Sequence, residues 1–184
     1  VPIWFMIGVL IALSKDICAL KGIQNVDTGN AVMFFYLGTS FGDFMSGYLS
    51  QVFKSRKRIV FLYLIITVIS IPLYLYVTDI TPELFYWVCA FLGIASGYWA
   101  VFVTIASEQF GTNIRSTVTT TVPNFVRGAL VLLTFILNFF RKSLEIDLIT
   151  SCLIVGILAV GLAFYALSKM EETYHKELNY TEIM

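Results

Sequence analysis

The chain has 184 residues, of which 58% are hydrophobic and only 13% charged, with a mean hydropathy of +0.83. An ordinary soluble domain carries about 25% charged residues, so the composition points to an integral membrane protein. Basic and acidic residues number 12 each and cancel to a formal net charge of zero, which removes any bulk-charge argument for a nucleic-acid partner.

Six apolar segments run through the chain, at about 1–20, 30–52, 58–77, 82–107, 116–140 and 147–168. Each is near the roughly 20 residues that cross a bilayer as a helix. The links between them are too short for a soluble domain, and 169–184 reads as a polar tail outside the membrane. The expected architecture is all-α and integral to the membrane, with six transmembrane helices.

The first segment opens at Val1-Pro2-Ile3-Trp4, already apolar, with neither an initiator methionine nor a charged leader. An N-terminal truncation is expected rather than a signal peptide. Unbroken apolar sequence lasts only to Leu13, about 20 Å of helix against a hydrocarbon core of about 30 Å. The span must therefore draw in Ser14 to Leu20 or residues upstream.

In the second segment Gly38, Gly42, Ser46 and Ser50 recur every fourth residue, a small-residue face that lets another helix approach closely. Thr39, Asp43 and Gly47 form the adjacent stripe. A basic loop, Lys54, Arg56, Lys57 and Arg58, follows. The third segment contains Pro72, expected to kink it. The fourth repeats the small-residue pattern with Ala90, Gly93, Gly97, Ala100 and Thr104, and offers Tyr98 and Trp99 as cavity aromatics.

The fifth segment is the most informative. Thr117, Thr120, Asn124, Arg127, Val131, Thr134 and Asn138 fall on one helical face, and six of these seven are polar. A polar stripe on an apolar helix reads as the wall of a wet cavity inside a membrane bundle. An unpaired guanidinium at that depth costs at least ~2.5 kcal/mol on insertion scales, so Arg127 needs compensation. Asp43 and Arg127 lie at similar depths, which allows an ion pair between them or a solute or proton site. Pro123 precedes this centre and is expected to kink the helix beside Arg127.

His175, the single histidine, lies in the tail, and Cys18, Cys89 and Cys152 are isolated. No metal, redox or triad spacing is present, so no metal site, no cofactor and no enzymatic activity are expected. Seven basic residues, at positions 54, 56, 57, 58, 115, 169 and 176, fall on one side of the membrane and Lys21, Arg141 and Lys142 on the other. The positive-inside rule then places the basic loop and the C-terminus in the cytoplasm of a multi-pass protein of the cell membrane, with Tyr74, Tyr76 or Trp87 at the outer interface. Asn179-Tyr180-Thr181 matches a glycosylation acceptor, expected to stay unmodified on that side.

The stretch Asp43-Phe44-Met45-Ser46-Gly47-Tyr48-Leu49 resembles Asn124-Phe125-Val126-Arg127-Gly128-Ala129-Leu130. Such a repeat in the second and fifth segments implies two inverted three-helix units with a site near the midplane, a plan common in secondary transporters.

Three landmarks resemble the major facilitator superfamily, in particular its sugar and organic-acid porters. Gly47 to Arg58 is similar to the loop G-x-L-x-D-R-x-G-R-R, although Gln51 and Val52 replace its Asp and Arg and Lys54-Ser55 replaces Gly-Arg. Glu108-Gln109-Phe110-Gly111-Thr112-Asn113-Ile114-Arg115-Ser116-Thr117 looks like E-x-F-P-T-x-x-R-x-T, with Gly111 for the proline. Glu171 to Leu178 is similar to the P-E-T-x-G-x-x-L ending.

The resemblance implies that the chain is the C-terminal six-helix half of a twelve-helix transporter, whose N-terminal half supplies the rest of the cavity. It implies alternating-access transport of a small solute such as an organic anion or sugar, with proton symport. Arg127, Asn124, Thr120 and Trp99 are the expected solute contacts and Asp43 the proton-coupling residue. Glu108, Arg115, Arg56 and Arg58 form the implied cytoplasmic gate. A six-span oligomeric channel is the alternative, but the sequence has no filter segment. A membrane-embedded enzyme is a weaker one, for want of a nucleophile elbow or paired carboxylates.

Overall fold

The computed structural model describes residues 1–176, 179 and 181. Tyr180 of the acceptor sequence and Glu177 and Leu178 of the tail landmark lie outside the described residues. The described chain is all-helical. It begins with α1 (Pro2–Phe5), a π-helical stretch Met6–Ile11, and α2 (Ser14–Leu20). Then follow α3 (Thr28–Val52), α4 (Arg56–Tyr76), α5 (Pro82–Ser96), α6 (Trp99–Glu108), α7 (Arg115–Ser143) and α8 (Leu148–Lys169).

The starts are written locally. Asp27, Ser55, Thr81 and Asp147 each precede a helix and accept a backbone N–H three residues on, from Asn30, Arg58, Leu84 and Thr150. Each satisfies one of the donors that a first turn leaves unpaired. Asp147 sits outside the helix, and the Thr150 hydrogen bonds hold its carboxyl below the ordinary aspartate range.

Four helical stretches are long and apolar enough to cross a membrane: Arg56–Tyr76, Pro82–Glu108, Arg115–Ser143 and Leu148–Lys169. The pair Pro2–Ile11 and Ser14–Leu20, bent by 62°, makes up to five. α3 has the length, but its glycines, serines, Thr39 and Asp43 lower its hydropathy below that of its neighbours. Outward faces are apolar, with Phe44, Phe125, Val131, Phe135 and Tyr165 all exposed. Lipid accepts such a surface and water does not.

The tightest packing joins α3 to α5. A Cβ added to Gly38 would lie 2.0 Å from the Ala90 carbonyl oxygen, and one on Gly93 would lie 2.0 Å from that of Phe35. Gly42 and Gly97 meet backbone to backbone in the same way. The small-residue faces of the second and fourth segments are therefore the two sides of one seam. Ser46 and Ser50 continue it, both fully buried.

Pro72 and Pro123 lie inside helices that run without a break, and the chain breaks at Ala12–Leu13 and at Gly97–Tyr98. One expectation is corrected. Tyr74 does not sit at an interface: it is fully buried and its hydroxyl donates to the Leu10 carbonyl at 2.8 Å. That bond serves a carbonyl at the break in the first helix, the compensation an interrupted helix needs away from water. Tyr76 and Trp87 are exposed, and the three cysteines are free and buried.

Candidate functional site

Two broken helices bring the polar residues together. At Gly97–Tyr98 the loss of regular bonding is met in part by Thr67 Oγ1, which donates to the Ala95 carbonyl at 3.3 Å; on the facing helix α3 the Tyr63 hydroxyl donates to the Gly42 carbonyl at 2.8 Å. Thr39 and Ser96 share a hydroxyl hydrogen bond at 2.9 Å across the seam. Asp43, on α3, accepts the Ala100 N–H at 3.0 Å and so caps the start of α6. A carboxylate there meets both the unpaired donors and the positive end of the helix dipole.

Arg127 does not pair with Asp43. Among the described residues the one ion pair within 4.0 Å joins Arg56 to Glu108. The Arg127 guanidinium lies over the Trp4 ring, 4.9 Å from its centroid, a cation–π contact. Trp4 meets Trp99 edge to face at 6.0 Å, and Trp99 leans on Phe102 at 5.3 Å. Trp99 and Arg127, both expected at the site, are thus joined through Trp4, which the polar pattern did not single out. Its signal was a tryptophan within the first apolar run, whose ring offers a face to a cation and whose N–H, here buried without an acceptor, offers a donor.

Thr120 and Asn124 stand on the same exposed stripe as Arg127. Thr120 donates to the carbonyls of Ser116 and Thr117, at 3.1 and 3.0 Å, and Asn124 Nδ2 to that of Thr120 at 3.0 Å. These local bonds leave the Asn124 side-chain oxygen for a ligand. Asn124, Arg127, Gly128 and Thr134 line an open groove of about 630 Å³. α7 shows this stripe outward because it seats its other edge, Leu130, against Gly8 of the first helix.

A second polar cluster closes the end where α3 stops and α4 starts. Arg56 donates to Glu108 at 3.1 Å and to Ser50 Oγ at 2.6 Å, with its guanidinium 5.1 Å from the Tyr174 ring. The other Glu108 oxygen accepts from the Thr173 hydroxyl at 2.6 Å. Arg115 donates to the Ser107 and Phe110 carbonyls at 2.8 and 3.2 Å, at the C-terminal end of α6. Arg58 lies apart: its backbone N–H takes the Ser55 cap, while its side chain lines the outer groove between α4 and α8.

The tail residues are what the residue-by-residue reading missed at this end. Glu172 accepts from Ser55 Oγ and from the backbone N–H groups of Arg56, Lys57, Thr173 and Tyr174. Burial by itself raises its pKa, but these donors outweigh it and hold Glu172 below the ordinary glutamate value. A depressed carboxyl stabilises the docked tail above its unfolded pKa, and that contribution is lost as pH falls through the folded value. Amide exchange is therefore expected to show protected Lys57 and Tyr174 amides at neutral pH, with protection lost as pH falls through the lowered folded value. Glu172→Gln should show the unprotected pattern at neutral pH.

Compared with known protein families, curated proteins and solved structures, the chain matches none.

Proposed function

We propose that the protein is a secondary active transporter that moves a small anionic solute by alternating access, coupled to protons. In this reading the chain is one six-helix bundle of a twelve-helix protein resembling the major facilitator superfamily. The observation that carries it is the meeting of a broken first helix and a broken fourth helix beside an unpaired arginine and a capping aspartate. Discontinuous helices with polar groups at their breaks are how such carriers build a site within the membrane.

The packing pattern supports two inverted repeats. Counting the two broken pairs as one unit each gives six helical units, in which the second packs on the fourth and the first on the fifth. Exchanging first with fourth, second with fifth and third with sixth turns each of these contacts into the other. The same exchange relates third-on-fourth to sixth-on-first and maps third-on-sixth onto itself, and these contacts are also made.

Arg127 takes the carboxylate or phosphate of the solute through charge-assisted hydrogen bonds, leaving Trp4 as it does so. Asn124, Thr120 and Trp99 complete the contacts on this half. Asp43 carries the proton, and its protonation weakens the cap on α6, so proton and solute act on the same broken helix. The Arg56–Glu108 pair, with Arg115 and the tail behind it, closes the end that the positive-inside rule places in the cytoplasm.

The test is thermal unfolding of the detergent-purified protein, carrying both six-helix halves, against a panel of small anions. One anion class should raise Tm with concentration in the wild type and leave Arg127→Ala unmoved. Equal responses would return Arg127 to a structural role. Asp43→Asn is expected to bind the solute yet lose gradient-driven accumulation in vesicles; full accumulation would remove Asp43 from coupling.

A further inference from the structure

A second groove lies between α4 and α8. It has a volume of about 490 Å³ and is lined by Phe61, Phe164, Leu167 and Ser168 together with Lys57 and Arg58. Phe61 and Phe164 meet edge to face at 5.7 Å and form its floor. An adjoining hollow of about 330 Å³ shares Lys57 and Arg58 and adds Lys54, Ser55 and Glu172.

Three cations converge there and no carboxylate pairs with them among the described residues. The one acid in the lining, Glu172, is occupied by Ser55 and by backbone N–H groups. Lys57 donates one proton to the Met170 carbonyl at 2.6 Å, which fixes the ammonium there with two donors left. Away from the cations, Phe61, Ile65 and Ile69 continue the α4 face at every fourth residue and all three are exposed. The eight steps from Phe61 to Ile69 give an apolar track about 12 Å long.

We infer that this groove binds an anionic phospholipid, its phosphate against Lys54, Lys57 and Arg58 and an acyl chain along Phe61, Phe164 and Ile65. Both walls are helices long and apolar enough to span a membrane. A basic pocket at the end of two such helices is where an acidic headgroup is held. The charge selects the lipid class; the apolar track distinguishes a lipid from a free phosphate. The inference needs only that the chain is membrane-embedded and stands apart from the transport reading.

Native mass spectrometry of the delipidated, detergent-solubilised protein tests it, titrating dioleoyl phosphatidylglycerol and, separately, dioleoyl phosphatidylcholine. One phosphatidylglycerol should be retained where phosphatidylcholine is not. Lys54→Ala with Arg58→Ala should weaken it roughly 30-fold, the combined effect of two basic groups at an anionic surface. The lipid-free Tm should not move, since among the described residues neither side chain makes a hydrogen bond or an ion pair. Arg58→Gln alone should weaken it about fivefold and stands in if the double variant fails to fold. Millimolar glycerol 3-phosphate should not displace the lipid. Equal retention of both lipids, unchanged binding by the variants, displacement by the free headgroup, or a second copy of the chain cross-linking across Phe61 and Phe164 would each overturn the assignment.

Discussion

Gly93→Ala should cost the protein at least ~3 kcal/mol, the upper range for overpacking, and lower Tm by roughly 6–12 °C in a chain of this size. The reason is geometric. The new methyl would stand 2.0 Å from the Phe35 carbonyl oxygen and 3.0 Å from the Thr39 nitrogen, both backbone atoms on a neighbouring helix. A flexible side chain can turn aside, but here α3 and α5 must move apart as bodies. Gly38→Ala should behave alike, against the Ala90 carbonyl. Gly161→Ala and Gly47→Ala are the controls: nothing lies within 4 Å of either added Cβ, so helix propensity predicts a gain of up to ~1 kcal/mol. Size-exclusion profiles in detergent after a temperature series read all four. Equal behaviour of seam and control glycines would mean that the two helices are not held in backbone contact.

Arg56→Met should be the most damaging single change at the basic end. Both side chains of the Arg56–Glu108 pair are only 11% exposed. Removing the guanidinium strands a buried carboxylate with the Thr173 hydroxyl as its remaining hydrogen-bond partner, a loss of about 3 kcal/mol when one member of a buried pair is deleted. Glu108→Gln should cost less, because Arg56 keeps Ser50 and the Tyr174 ring. The double change Arg56→Met with Glu108→Met removes both desolvation costs and should recover much of the stability. A double-mutant cycle on Tm is expected to give a coupling of about 2 kcal/mol; a coupling near zero would show that the two charges act independently. If this contact also closes one end of a transport cycle, Arg56→Met will leak open, and a cysteine placed on α6 will label faster.

Much of this was written in short stretches of the chain. The polar caps Asp27, Ser55, Thr81 and Asp147 precede their helices because an unpaired first turn needs an acceptor within three residues. The Gly38-Gly42-Ser46-Ser50 face and the Gly93-Gly97 face were legible as surfaces for close approach, and the Thr120-Asn124-Arg127 stripe as a polar wall, because helical periodicity is a local property. The Arg56, Glu108 and tail landmarks were legible as motifs, though not which atoms meet.

What the sequence determined by itself, then, is which residues share a face and where the four capped helices begin. Partners were decided only in three dimensions. Nothing local tells that Asp43 caps α6 rather than meeting Arg127, since the Ala100 N–H it accepts is 57 residues away. Gly97 breaks its helix where it rests on the Gly42 backbone, while Pro72 and Pro123, the stronger local signals, leave theirs continuous. Tyr74 looked like an interface aromatic and is buried because Leu10 needs its hydroxyl. Arg127 finds a tryptophan instead of a carboxylate because α7 packs on the first helix, not on α3. In each case the deciding term is the cost of leaving a backbone or charged group unsatisfied away from water, and that cost is met by whichever side chain the packing of the helices brings within reach.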